Sequence, residues 1–241
     1  MVLREPPPLR QLGISAASGA AGDDWSGRLR LAAAMAARRF DPAQPTVIKA
    51  NVPVNFILPQ LLALNPDAPV ILLHFALEAY LLAVLGNPNH RVWIDRLTGQ
   101  IALVLAAHVG LLPRATTAER AAALWLAQMI MFDAVLRDHP AARSLDAEVF
   151  FADPVGIASI AGAHLGLPPL MSGADSTLVQ SDSKDPTKRF AEADRRTRQA
   201  ERRITLADEM VDARRWVAAS AAARNLPTCL DRPLRGDATP L

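Results

Sequence analysis

Apolar residues along the 241-residue chain alternate between short continuous runs and helical spacing, which predicts strands and helices in turn. Ser26 to Phe40 is dense in Ala, Leu, Met and Arg, strong helix formers, and Asp41-Pro42 with Pro45 closes the run. Thr46-Val47-Ile48-Lys49 is a β-branched run that ends in a charge, a predicted strand. Val54 to Leu64 is apolar at helical spacing, and Pro59 within it requires a first turn or a kink. After the turn Asn65-Pro66-Asp67, the continuous run Val70 to Leu73 predicts a parallel strand buried on both faces. Leu77–Leu85, His90–Val109 and Thr116–Arg137 are predicted helices. Thr116 or Thr117 can cap the last of these, with Glu119 in its first turn. Arg143 to Val149 is a third strand candidate. Asp153 as N-cap and Pro154 at the first helical position start a helix that runs to Leu165 and stops at Gly166.

Strand, helix, strand, helix with short connections is the pattern of a parallel sheet covered by helices. The expected fold is therefore α/β: a three-layer, helix-rich domain with a parallel sheet. Two helices of about twenty residues form an insertion between the second and third strands. The core is expected over residues 26–182. Residues 1–25, rich in Pro, Gly, Ser and Asp, read as a flexible arm, and residues 225–241 as a loose tail. Residues 183–224 form a charged helical segment. Lys184 to Arg203 holds eight basic and four acidic residues, a net +4. Phe190, Ala193, Thr197, Ala200, Ile204, Ala207 and Val211 recur there at three- and four-residue spacing. That thin seam predicts a solvated helix lying along the body or against a partner.

Composition removes several classes. A single Cys229 excludes an intramolecular disulfide and a thiolate metal cluster. A hydrophobic fraction of 51% with a net charge of +2 is not that of a disordered chain. Nucleic-acid binding is not expected either: the charge is small, and only Phe190 is interleaved with the arginines. Ala68 to Gly86 is apolar enough to resemble a membrane span, but His74, Glu78 and Pro69 lie within it. A strand followed by a buried helix is the better reading. With no apolar run of signal length near Met1, a cytoplasmic protein without membrane contact is expected.

Candidate chemistry is sparse. His74, His90, His108, His139 and His164 have no ligand spacing, so no metal site is expected. There is no G-x-S-x-G elbow and no G-x-x-x-x-G-K-[ST] loop. Only three lysines occur: Lys49, Lys184 and Lys188. Lys49 ends a predicted strand, at the carboxyl edge where open α/β sheets place ligands, and is a candidate anion ligand. The plain alternative is a lysine reaching from a strand end to solvent.

The order Val47-Ile48-Lys49-Ala50-Asn51-Val52-Pro53, Leu58-Pro59, Asn65-Pro66-Asp67-Ala68-Pro69-Val70-Ile71-Leu72-Leu73 resembles the central part of the sulfotransferase family. Leu145 to Pro154 running on to His164-Leu165-Gly166-Leu167-Pro168 is similar to a later segment of the same family. Ser183-Lys184-Asp185-Pro186, the charged helix and Trp216 are similar to the C-terminal part of its bacterial members. The resemblance covers roughly residues 26–220. It implies a P-loop-NTPase-like core and transfer of a sulfuryl group from PAPS (phosphoadenosine phosphosulfate) to a hydroxyl or amine of a small-molecule or glycan acceptor. Lys49 would be the catalytic cation, and Lys184 would lie over the nucleotide. No strand and phosphosulfate-binding loop are expected ahead of these segments. Asn51 stands where cytosolic members carry a catalytic histidine. His74 takes the place of an arginine that grips the ribose phosphate, and Leu82 that of its serine partner.

Two functions follow as expectations. One is a PAPS-dependent sulfotransferase-like enzyme. The other is a sulfotransferase-fold protein that has lost the chemistry and acts as a binding or scaffold module. Self-association or a partner docked through the 184–215 helix belongs with the second.

Overall fold

The computed structural model describes residues 2–38, 45–169 and 192–235. It is a helix-rich α/β protein with small parallel sheets. Strand β1 (Val2–Arg4) pairs in parallel with β2 (Val47–Lys49). Strand β3 (Val70–His74) pairs in parallel with β4 (Ala142–Asp146). The second pair is in register from Val70 opposite Ala142 to His74 opposite Asp146. A parallel bridge between Ser144 and Pro233 covers the other edge of β4. Among the described residues the sheet is thus two separate pairs, not one continuous middle layer. Val70–Leu73 is correspondingly less buried than its apolar run predicts: Leu72 is 3% exposed, but Leu73 is 53% exposed.

Helices α1 (Pro7–Ala17) and α2 (Trp25–Ala37) precede β2. The region 1–25 is therefore not an arm with no element of its own, and a strand does precede the Lys49 segment. The prolines that looked like breakers sit at the N-cap and first helical positions of α1, where a missing N–H is tolerated. Leu9 and Leu12 of α1 then bury against Val54 and Ile57. Gly13 lets the α1 backbone approach so closely that a β-carbon there would overlap the Pro53 carbonyl.

The predicted Val54–Leu64 helix is broken into α3 (Val52–Asn55) and α4 (Leu58–Leu64), with Pro59 in the first turn of α4. After β3 comes α5 (Leu77–Leu85), then α6 (Pro88–Gln100) and α7 (Ala102–Val109). The last two replace the single helix expected over His90–Val109 and bend by 82° at Ile101. Ile101 is fully buried at that corner. No single helix among the described residues is long and apolar enough to cross a membrane. The bent α6–α7 pair passes that test only by joint length and composition.

Helix α8 (Thr117–Asp138) starts with a complete capping box: Thr116 accepts from the Glu119 N–H, and Glu119 accepts from the Thr116 N–H. It is the centre of the molecule and not an insertion. Ala118 and every residue from Ala121 to Ala127 are at most 4% exposed. Short α9 (Ala147–Ala152) and α10 (Pro154–His164) follow β4: Asp153 caps α10 as its sequence predicts, but the strand expected over Arg143–Val149 ends at Asp146, which caps α9 instead. Gly166 takes a φ of 66° just beyond α10, the left-handed stop that glycine provides.

Two helices, α11 (Glu192–Thr205) and α12 (Ala207–Arg224), complete the fold. The predicted seam does not face the body. Thr197, Ala200 and Ala207 are exposed, Ile204 is 80% exposed and Val211 47% exposed. Instead α12 buries Met210, Ala213 and Val217 against the α8 core, while α11 turns arginines inward. Phe190 lies outside the described residues.

Gly13→Ala is expected to destabilise the protein by about 1–3 kcal/mol through overpacking at the α1–α3 contact. Urea unfolding monitored by tryptophan fluorescence measures it. A variant as stable as the parent would show that α1 does not dock on α3.

Candidate functional site

Both parallel pairs end in chemistry. In the first, Arg4 lies opposite Lys49, and the Glu5 N–H extends the ladder by donating to the Lys49 carbonyl at 2.7 Å. Glu5 takes a φ of 50°, a left-handed conformation that costs a non-glycine residue roughly 1 kcal/mol. That conformation turns its carboxylate toward Lys49, whose Nζ donates to Oε1 at 3.4 Å. The two side chains are 64% and 51% exposed. Such a pair is worth little to stability, because water and salt screen both partners. Lys49 therefore ends an exposed strand and not a buried one, and its ammonium is open to solvent. Nothing in the residue pattern pointed to Glu5, which carries no motif. Asn51, at the N-cap position of α3, has a buried side-chain oxygen without a hydrogen bond. As an amide it cannot act as a base at neutral pH.

The carboxyl end of the second pair opens onto a cavity of about 300 Å³. Phe75, Trp125, Met129, Val149 and Leu230 give it apolar walls, and His74, Asp146 and Cys229 give it polar edges. Several polar groups here are already engaged. Trp125 Nε1 donates to the Phe75 carbonyl at 2.8 Å, tying α8 to the β3–α5 turn. Asp146 Oδ1 accepts from the Glu148 N–H at 2.9 Å, and Ser144 donates to the Asp231 carbonyl at 2.9 Å. His74 Nδ1 is buried without a hydrogen bond. Burial pushes the His74 pKa below its usual 6.5, although the Asp146 charge and the Phe75 backbone pull the other way. At neutral pH this imidazole is uncharged. Cys229 is exposed at the mouth. Among the described residues no lysine or arginine lines the cavity.

Leu82 is fully buried in the main core, and its carbonyl accepts from Arg202 Nη1 at 3.2 Å. Lys184 lies outside the described residues. The structure thus separates the sequence candidates into an open cation at the β2 end and an uncharged, aromatic-walled cavity at the β3–β4 end. No protein-family model matches the chain, and neither curated proteins nor solved structures give a match.

A histidine held neutral by burial makes stability depend on pH. The unfolded chain binds a proton at His74 more readily than the folded one. Stability is therefore fully present above about pH 6.5 and falls as pH drops below it. His108 is shifted the same way by burial and adds to the effect. His74→Gln is expected to reduce the loss of urea stability between about pH 7.5 and about pH 5.5. An unchanged pH profile would remove His74 as a contributor.

Proposed function

We propose that this chain is a sulfotransferase-like protein that transfers a sulfuryl group from PAPS to a hydroxyl or amine acceptor. The observation that carries the reading is Lys49, a solvent-open cation at the carboxyl end of a parallel strand, held among the described residues by a 3.4 Å contact to Glu5. Supporting it are the ordered sequence resemblance across residues 26–220 and the α/β character of the fold. PAPS supplies an activated sulfuryl group, and transfer is an in-line displacement: the acceptor oxygen or nitrogen bonds to sulfur as the sulfur–oxygen bond to the phosphate breaks, PAP leaves, and the acceptor proton passes to solvent. Lys49 suits one anionic group of such a donor: it can release Glu5 and neutralise charge gathering on the sulfuryl or the departing phosphate. The β3–β4 cavity does not suit a phosphate, having a neutral His74 and no cation among its described walls. Its aromatic lining suits an uncharged, flat group.

The absence of a cation from the described walls of the β3–β4 cavity favours the other reading, a sulfotransferase-fold module that binds a small ligand or a partner without chemistry. Titration calorimetry with PAP, the desulfated nucleotide, separates the two. The enzymatic reading expects binding, weakened about tenfold or more by Lys49→Ala, because a charge-assisted contact is lost. Glu5→Gln should strengthen it about twofold to fivefold by releasing the ammonium. No heat of binding at about 1 mM PAP would leave only the binding module. Binding that is insensitive to Lys49→Ala would remove Lys49 from the site.

A further inference from the structure

Helix α11 is attached to the protein differently from α5, α8 and α12. None of its described side chains is buried. By contrast α12 seats three side chains in the core. What holds α11 is charge. Arg195 donates through both terminal nitrogens to the two carboxylate oxygens of Glu148, each at 2.7 Å. Its guanidinium also lies 4.5 Å from the centre of the Phe151 ring. Arg203 donates to Glu78 at 2.7 Å, and Arg202 to the Leu82 carbonyl at 3.2 Å. Arg214 of α12 reaches the second oxygen of Glu78 at 3.3 Å.

The positions of the two carboxylates give this attachment a consequence. Glu78 is in the first turn of α5, which leaves the carboxyl end of β3. Glu148 is in the first turn of α9, which leaves the carboxyl end of β4. One helix is therefore tied to the two helix starts that flank the ligand edge of the β3–β4 pair. Between α11 and α9 lies a cavity of about 600 Å³, walled by Glu148, Ala152, Arg195, Gln199 and Arg203. The next residue of α9, Val149, lines the strand-end cavity that contains His74.

The geometry points to α11 as an ion-latched strap across this edge, one that opens without disturbing the core and uncovers the start of α9. Opening withdraws no core side chain of α11; it breaks the arginine–carboxylate pairs, the Arg202 hydrogen bond to the Leu82 carbonyl and the Arg195 contact with the Phe151 ring. The Glu78 latch is the weaker, since Arg203 is 56% exposed and Arg195 only 13%. This inference holds whether or not the protein transfers sulfuryl groups.

Backbone hydrogen exchange on the full chain tests it. With salt raised from about 0.05 M to about 1 M, exchange in α11 is expected to rise about tenfold while α8 is unchanged. Glu148→Gln and Glu78→Gln lie outside α11 and should each raise its exchange at low salt, Glu148→Gln the more. Asp133→Asn, which breaks an ion pair with Arg137 on α8, should leave α11 as it is. Exchange in α11 that ignores both salt and the two glutamine variants would overturn the strap. So would opening of α8 together with α11, which would make the change global unfolding.

Discussion

Everything else in the molecule is arranged around the burial of α8. Its Ala121–Ala127 stretch is enclosed on all sides, and α5, α6, α7 and α12 each lay an apolar face on it. Alanine makes this possible. A methyl group lets neighbouring backbones come close from several directions, and it loses no rotamer freedom when buried. Larger side chains fill the gaps between: Leu81, Leu82, Ile94, Leu97, Ile101, Leu105, Leu124 and Leu126 are all at most 2% exposed. The strands depend on this helix too. Leu72 of β3 packs with Phe132, Val135 and Leu136 from its C-terminal half, and Trp125 fixes the turn after β3 by a hydrogen bond.

The sites lie where this scaffold ends. Parallel strands direct the following turns and helix starts to their carboxyl ends: the β1–β2 pair ends at Lys49 and Glu5, and the β3–β4 pair at His74, Asp146, Glu78 and Glu148. The groups differ in how tightly they are held. Lys49 and Glu5 are open to water and weakly coupled, whereas His74 is half-buried and uncharged. The first of these strand ends is fit for an anionic group, and the second for an uncharged ring. Helix α11 is tied by its arginines to the two helix starts beside the second end.

Much of the element order was legible in the residues. Thr116 with Glu119, Asp153 with Pro154, and Gly166 are local signals, and each marks its helix boundary in the structure. Lys49 was legible as a strand-end cation. What it meets was not: Glu5 lies 44 positions away and becomes its neighbour only through parallel pairing of β1 with β2. The seam of α11 and α12 misled for a similar reason. Periodicity finds the most apolar stripe on a helix, but the stripe here is thin and small. Carboxylates on α5 and α9 offered the arginines better contacts than the core offered Ile204. The prolines near the N-terminus misled because the same residue that breaks a helix interior also suits its first turn.

The sequence by itself determined the bounds of α2, α5, α8 and α10 to within a few residues, since caps, prolines, glycines and apolar spacing act over that range. It also determined the α/β alternation and the scarcity of lysine that singles out Lys49. The tertiary structure alone decided that α8 is the core and not an insertion, and that the strands form two parallel pairs. It alone decided that burial lowers the His74 pKa and that arginines, not the seam, bind α11 to the body. These outcomes depend on burial and on charges brought together from distant parts of the chain, and neither quantity exists until the helices have packed.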